Sequence, residues 1–480
     1  MLEKKHITIT GFFATAALLM WILLSSTTSA GCSSKTSEDN DNKPRAAGEL
    51  YENYCASCHG MHMNRFAGED REAMFEMPQD EMERIIREGD DETGMPAFGD
   101  VFSEEESEAV AEHILTDIKE EAEAHEYRPG FPDVVETEDV SFRMDTVASG
   151  LSIPWGMDWL PNGDLLVTER SGELFRFRDG EFLSMIDGLP EVYANGQGGL
   201  LDIKLHPDYE ENGWIYISYS EPSGGGGNTA IMRARLEENE LIDSEQLFKA
   251  EPDTEKGVHF GSRMAFDNDG YLFFSVGERG EPENAQDLSN HCGKIHRIHD
   301  DGRIPEDNPF VDDSDAMPSI WSYGHRNPQG LAFHPGTGEL WSTEHGPKGG
   351  DELNIIEKGA NYGWPEITYG INYDGSIITE DTTKAGMEQP VLQWTPSIAA
   401  CGMAFADGNR YPQWENDIFS GSLSFRYVVR TKLDGSEVIE DEIMLREAGR
   451  VRSIETGPEG HLHVGVENPG YVVKLIPVEE

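Results

Sequence analysis

The sequence predicts an all-β six-bladed β-propeller preceded by a small all-α domain. Three observations predict it. A short unit, made of an apolar pair, a turn containing Gly and a strand, recurs six times in the C-terminal part of the chain. The recurring glycines 163, 213 and 270 stand 50 and 57 residues apart, and Gly338 lies 68 further on. Ahead of the repeats, apolar residues fall at helical spacing in two stretches downstream of a Cys-x-x-Cys-His segment.

The repeat is clearest in Met157-Asp158-Trp159-Leu160-Pro161-Asn162-Gly163-Asp164-Leu165-Leu166-Val167. It returns at 203–217, 264–276 and 331–341, with looser copies at 403–419 and 454–464. Repeats of roughly 40–50 residues holding several short strands are propeller blades, here lengthened by insertions. Six copies imply six blades. A sandwich or a barrel is the alternative, and six repeats over such a length suit it poorly.

At 480 residues the chain is too long for one ordinary domain. Hydrophobic residues make up 37%, enough to build a core. There are 37 Lys and Arg against 91 Asp and Glu, a net charge of −54. Such a field repels nucleic acid and anionic lipid and argues against both as partners. Disorder would also produce this composition, but the regular strand pattern argues against it. The expectation is a halophilic protein, because molar salt shortens the screening length to roughly 3 Å and suppresses self-repulsion.

In chain order, residues 1–31 read as an export signal. Lys4, Lys5 and His6 precede an apolar run, and Thr28-Ser29-Ala30-Gly31 supplies small residues before Cys32. The end of this segment resembles a lipobox, which makes Cys32 a lipidated N-terminus and a membrane tether. Cleavage without lipidation and an uncleaved anchor are the other two readings, and all three place the protein outside the cytoplasm, periplasmic or at the cell surface. Residues 32–45 read as a flexible tether.

Residues 46–118 carry Cys55-Ala56-Ser57-Cys58-His59. C-x-x-C-H is the attachment signature of a c-type haem. Cys55 and Cys58 add to the two vinyl groups, and His59 then falls under the iron as an axial ligand. A zinc site needs further Cys or His at matching spacing, which the chain lacks. Gly94-Met95-Pro96-Ala97-Phe98-Gly99 resembles the methionine loop of small class I cytochromes c. Met95 lies 36 residues past His59 and is the expected sixth ligand, with Met77 as the rival. A helix is expected over 80–88, with Met82, Ile85 and Ile86 on one face. Ser103-Glu104-Glu105-Glu106 is expected to cap another, with Val110, His113, Ile114 and Ile118 inward and a solvated acidic face opposite. Residues 119–141 read as an acidic linker, and 142–480 as the propeller. Cys292 and Cys401 read as buried thiols, a disulfide between them being the other option.

The propeller's chemistry concentrates in Gly324-His325-Arg326-Asn327-Pro328-Gln329-Gly330, Glu344-His345-Gly346-Pro347 and Gly350-Asp351-Glu352. Gly and Pro set these residues in loops. A guanidinium with amides grips an anionic, carbonyl-rich ligand. Carbonyls with carboxylates suit a hard cation such as calcium. The whole ordered set closely resembles the soluble aldose sugar dehydrogenases that use pyrroloquinoline quinone (PQQ). The resemblance covers residues 142–477.

Carried over residue by residue, the resemblance implies the following. Asn195-Gly196-Gln197-Gly198-Gly199 supplies Gln197 on the substrate side. His259-Phe260-Gly261-Ser262-Arg263 supplies His259 as catalytic base. Arg326, Asn327 and Gln329 contact the quinone, Arg326 also acting in catalysis, and Arg450 and Arg452 hold quinone carboxylates. The carbonyls of Gly346 and Pro347 bind the calcium that holds the quinone, and Glu352 and Tyr362 belong to a second, structural calcium. Two positions depart from the family pattern. Ser424 stands where a lysine contacts the quinone, and Val258 stands where glucose-active members carry Asp.

These residues imply a secreted quinohaemoprotein. His259 takes the proton of an aldose's anomeric hydroxyl, the quinone accepts the hydride and a lactone forms. The haem on the same chain then takes the electrons at high effective concentration and passes them to an external acceptor. Two other functions compete with this one: a calcium-dependent propeller lactonase, and a carbohydrate-binding propeller without catalysis. The guanidinium cluster favours the dehydrogenase, because a lactonase has no use for a tricarboxylate site.

Overall fold

The structure is a computed structural model that describes residues 45–55, 74–90, 95, 97–99, 101–119, 132–224, 226–446, 448–467 and 470–478. The export signal, Cys32, Cys58 and His59 lie outside the described residues.

Six antiparallel sheets make up the propeller. The first blade runs Pro154–Trp159, Leu165–Glu169, Leu174–Arg178, Glu181–Met185 from the centre outward. The inner strands of the next four blades are Leu200–Leu205, Met264–Phe266, Pro328–Phe333 and Ala400–Phe405. Arg450–Thr456 opens the sixth blade, which continues through Leu462–Glu467 and Gly470–Pro477. Each sequence repeat is therefore the innermost hairpin of one blade. These hairpins are legible because both their strands are buried and read as apolar runs, as in Leu165–Glu169. The outermost strands face water and read as charged segments, such as Glu437–Met444.

The glycine in the turn is needed for its backbone angle. Gly163, Gly270 and Gly338 have φ of +86°, +81° and +73°, with open space where a Cβ would stand. Only the left-handed conformation restricts these positions to glycine.

The ring closes through the first and last long strands of the propeller segment. Ser141–Leu151 pairs with Gly470–Pro477, from Phe142 opposite Pro477 to Leu151 opposite Gly470. Val135–Glu136 adds a fifth strand to this blade, so the sheet reaches back into the stretch read as linker. The pairing of Ser141–Leu151 with Gly470–Pro477 joins the first and last long strands of the propeller in one blade and latches the ring. Asp139 is also tied in, by a 2.7 Å ion pair to the buried Arg430.

In the N-terminal part, helix Gln79–Glu88 buries Met82 and Ile86, as its spacing predicts. Helix Glu104–His113 starts at a capping box between Ser103 and Glu106 and continues as a π-turn over Ile114–Ile118. One acidic residue departs from the solvated face expected of it. Glu106 is buried, closes the capping box and pairs with Arg45 at 2.8 Å. Cys55 is buried in the same apolar cluster that Met74, Met77 and Met95 line. The cluster therefore does not separate Met95 from Met77. Met95→Ala is expected to abolish the long-wavelength absorption of thioether-ligated ferric haem and to lower its potential. Persistence of that band would assign the ligand to another methionine. Among the described residues, no helix is long and apolar enough to cross a membrane. Cys292 and Cys401 are buried free thiols.

Candidate active site

All six inner strands start at the same end of the ring. The loops entering them gather there, together with the loops that leave the second strands. Gln197, His259, Arg326 and Arg450 arrive on entering segments. Gly277 to Arg279, His345 to Pro347 and Glu467 arrive at the ends of second strands.

His259 sits at φ +55°, in the left-handed region that few non-glycine residues adopt. Three contacts hold it there. Its N–H donates to Gln197 Oε1 at 2.9 Å. Its Nδ1 meets Glu278 Oε1 at 2.8 Å. Its carbonyl packs against Gly277, where a Cβ would stand 2.2 Å from it and 2.8 Å from Asn327 Oδ1. Burial pushes His259 below its ordinary value, and Arg326 and Arg279 add to this against the opposing pull of Glu278. The ring is thus neutral near neutral pH. A carboxylate only accepts, so the shared proton belongs on Nδ1 and leaves Nε2 as the basic nitrogen. Burial would raise Glu278, but His259 and Arg326 outweigh it and hold the carboxyl below its usual range.

Arg326 is buried, with its guanidinium 5.3 Å from the ring centre of Trp364. One terminal nitrogen donates to the carbonyls of His345 at 3.2 Å and Gly346 at 2.9 Å. Its Nε is buried with no hydrogen-bond partner. Asn327 and Gln329 are fixed inward: Asn327 Oδ1 accepts from the Gly261 N–H at 3.0 Å, and Gln329 Nε2 donates to the Gly261 carbonyl at 3.0 Å. Gln329 Oε1 in turn accepts from Arg452 at 3.2 Å.

Arg450 and Arg452 share one carboxylate. Their Nε atoms reach the two oxygens of Glu467 at 2.7 Å and 2.6 Å. Burial alone would raise Glu467; Arg452 and Arg450 bring it down to about 2. Below them lies the Cys401 thiol, 3.1 Å from the Arg452 carbonyl. Arg263 closes the centre of the ring, bonded to Asp202 at 3.0 Å and to the Gln329 carbonyl at 3.0 Å.

The structure therefore brings Gln197, His259, Arg326, Asn327, Gln329, Gly346, Arg450 and Arg452 to one mouth. Three further residues there carried no role in the sequence reading. Glu278 and Glu467 each leave a second strand and meet a partner from their own blade's entering segment or inner strand. Arg450 and Glu467 are cross-strand partners in one hairpin, so hairpin register was the available signal. His345 lies inside a motif the sequence singled out.

The donor set fits the implied groups. Three guanidiniums and an orphaned buried Nε suit an anion rich in acceptors. The Gly346 carbonyl already accepts from a cation, Arg326. The Pro347 carbonyl accepts from the Gly349 N–H at 3.0 Å. Glu352 faces Glu344 across the ladder. Burial, then Glu344, push the Glu352 carboxyl up to about 8. A dication beside it would relieve that pair. Among the described residues no three His, Cys, Asp or Glu side chains converge as a metal site. Carbonyls would have to complete one, and the Tyr362 carbonyl is the candidate, since its hydroxyl is spent on the Ile355 carbonyl at 2.6 Å.

Ser424 sits in the loop whose Leu423 carbonyl accepts from Arg450 at 3.3 Å. An ammonium placed there would add a further positive charge in the loop next to Arg450. Ser424→Lys is expected to tighten PQQ binding several-fold in a fluorescence titration. An unchanged or weaker affinity would show that Arg450 and Arg452 already satisfy the site.

Fold and site together define a propeller oxidoreductase. Residues 151–474 match the Glucose / Sorbosone dehydrogenase family, and the chain belongs to it. Residues 42–114 match the family described as cytochrome C oxidase, cbb3-type, subunit III. The chain is 43% identical over 343 residues to the aldose sugar dehydrogenase YliI of Escherichia coli, covering 70% of this chain and 92% of that one. The crystal structure of the soluble aldose sugar dehydrogenase from Escherichia coli, in the apo form, superposes with a TM-score of 0.68 at 41% identity, over 70% of this chain and all of that one. The PQQ-bound form of aldose sugar dehydrogenase from Streptomyces coelicolor gives 0.59 at 30% identity, over 70% and 98%.

Proposed function

We propose that the chain is an exported PQQ-dependent dehydrogenase that oxidises the anomeric hydroxyl of aldose sugars to lactones and passes the electrons to a haem c on the same chain. The observation that carries the reading is the hydrogen bond between His259 and the buried Glu278 carboxylate, beside Arg326. Glu278 fixes the tautomer, which leaves His259 Nε2 to take the hydroxyl proton. Gln197 spends its oxygen on the His259 backbone and keeps its amide N–H groups for sugar oxygens. Arg326 offers positive charge where negative charge develops on an acceptor. PQQ, when bound, supplies the hydride acceptor, with Arg326, Asn327, Gln329, Arg450 and Arg452 to hold it. Calcium, when bound at Gly346 and Pro347, supplies further charge stabilisation. A haem on Cys55 and Cys58, with His59 and Met95 as ligands, accepts electrons singly. Lipid attachment at Cys32 and a strong-salt setting belong to the same proposal.

Dye reduction by the purified protein tests it. Aldose-dependent reduction should require both PQQ and calcium. Lactone hydrolysis without PQQ would favour the lactonase instead.

Calcium should also stabilise the fold. The Glu352 carboxyl is raised from its ordinary 4.5 to about 8. Its contribution is therefore full below pH 4.5 and lost as pH rises through 8. A bound dication reverses that penalty. Chelation is expected to lower the thermal midpoint, and to lower it more at pH 8 than at pH 6. A midpoint insensitive to chelator at both values would remove calcium from this site.

A further inference from the structure

We propose that His345 is a cofactor-binding residue, making a direct hydrogen bond through Nε2 to the anion held at the mouth. This rests on the reading of the mouth as a PQQ site. His345 follows the strand Leu340–Glu344 and precedes Gly346. Its backbone is pinned on both sides: the N–H donates to the Asn327 carbonyl at 3.2 Å, and the carbonyl accepts from Arg326 at 3.2 Å. The charged and titratable groups acting most strongly on its imidazole are Arg452, Arg326, His259 and Arg450, all residues of the mouth from three other segments of the ring. The ring as a whole keeps some solvent exposure, yet Nε2 has none and finds no hydrogen-bond partner. Buried polar atoms are nearly always satisfied, and the exceptions call for a missing partner. A side chain that only packed here would need no nitrogen.

The partner that fits is an acceptor- or donor-bearing group of a planar anion. Arg326, Arg450 and Arg452 supply charge without a fixed position for its ring. A neutral imidazole among them adds a directional contact and requires no change of its own charge.

The test is a titration of the cofactor-free protein with PQQ, read by tryptophan fluorescence. Trp364, under Arg326, is the nearby reporter. His345→Leu and His345→Phe keep bulk and remove the nitrogen; His345→Gln restores a donor and an acceptor. Leu and Phe are expected to raise Kd about tenfold or more, and Gln to stay within about threefold of the wild type. Thermal midpoints confirm folding, and Phe stands in should Leu fail to fold. Wild-type affinity in the Leu or Phe variant overturns the proposal. So does a Gln variant as weak as Phe, because the loss would then not follow hydrogen bonding. No saturable quenching in the wild type would instead overturn the PQQ reading, and this proposal with it.

Discussion

His259→Gln is expected to slow aldose-dependent reduction of the bound cofactor by about 10²–10⁴-fold, the typical contribution of a general base. Cofactor binding should change little, because Arg326, Arg450 and Arg452 are untouched. Glutamine can still reach Glu278, so packing survives while the basic nitrogen is lost. A single turnover, with sugar mixed into the loaded enzyme, isolates this step from electron transfer to the haem. The pH profile gives a second, independent reading. Burial holds His259 below the ordinary 6.5. The wild-type rate should therefore stay level through neutrality and fall only in more acidic solution, where the imidazole gains its second proton. A variant that reduces its cofactor at the wild-type rate would make His259 a structural residue and move the base elsewhere.

Glu467→Gln is expected to cost about 3–5 kcal/mol of stability, measured by denaturant unfolding of the cofactor-free protein. Glu467 is 2% exposed and is the carboxylate shared by Arg450 and Arg452. Removing its charge leaves two half-buried guanidiniums without their counterion. In the wild type the carboxyl lies near 2 when folded, against an ordinary 4.5. Its contribution is complete above pH 4.5 and is lost as pH falls from there toward 2. The variant should lack that acid-side loss. If PQQ carboxylates meet the same arginines, as proposed, bound PQQ should restore part of the stability. Equal unfolding midpoints for variant and wild type at pH 7 would show that solvent already screens the pair.

The inner hairpins of the ring were legible in the sequence because burial on both sides writes apolar runs and the left-handed turn demands glycine, as at Gly163 and Gly270. The outer strands were not, because water covers segments such as Glu437–Met444 and leaves them charged. The same physics divides the site. Arg326, Asn327 and Gln329 stand together in one loop and can be read as a set. Glu278 and Glu467 are two of 91 acidic residues, and nothing local distinguishes them. Only strand pairing brings Glu467 opposite Arg450, and only the third blade's hairpin returns the chain from His259 to Glu278. Glu106 shows the converse error. Its position in an acidic run suggests water, while Arg45, 61 residues away, buries it. Ser424 was legible as a departure, and its loop does abut Arg450.

The most direct test of the central claim is anaerobic mixing of the reconstituted full-length protein with an aldose, following the haem absorbance over a wide range of protein concentration. If the mouth oxidises the sugar and the haem on the same chain collects the electrons, the haem is reduced only when PQQ and calcium are present. Its rate constant is then first order and independent of protein concentration. A haem that stays ferric while the cofactor is reduced, or one whose reduction rate scales with protein concentration, would contradict it.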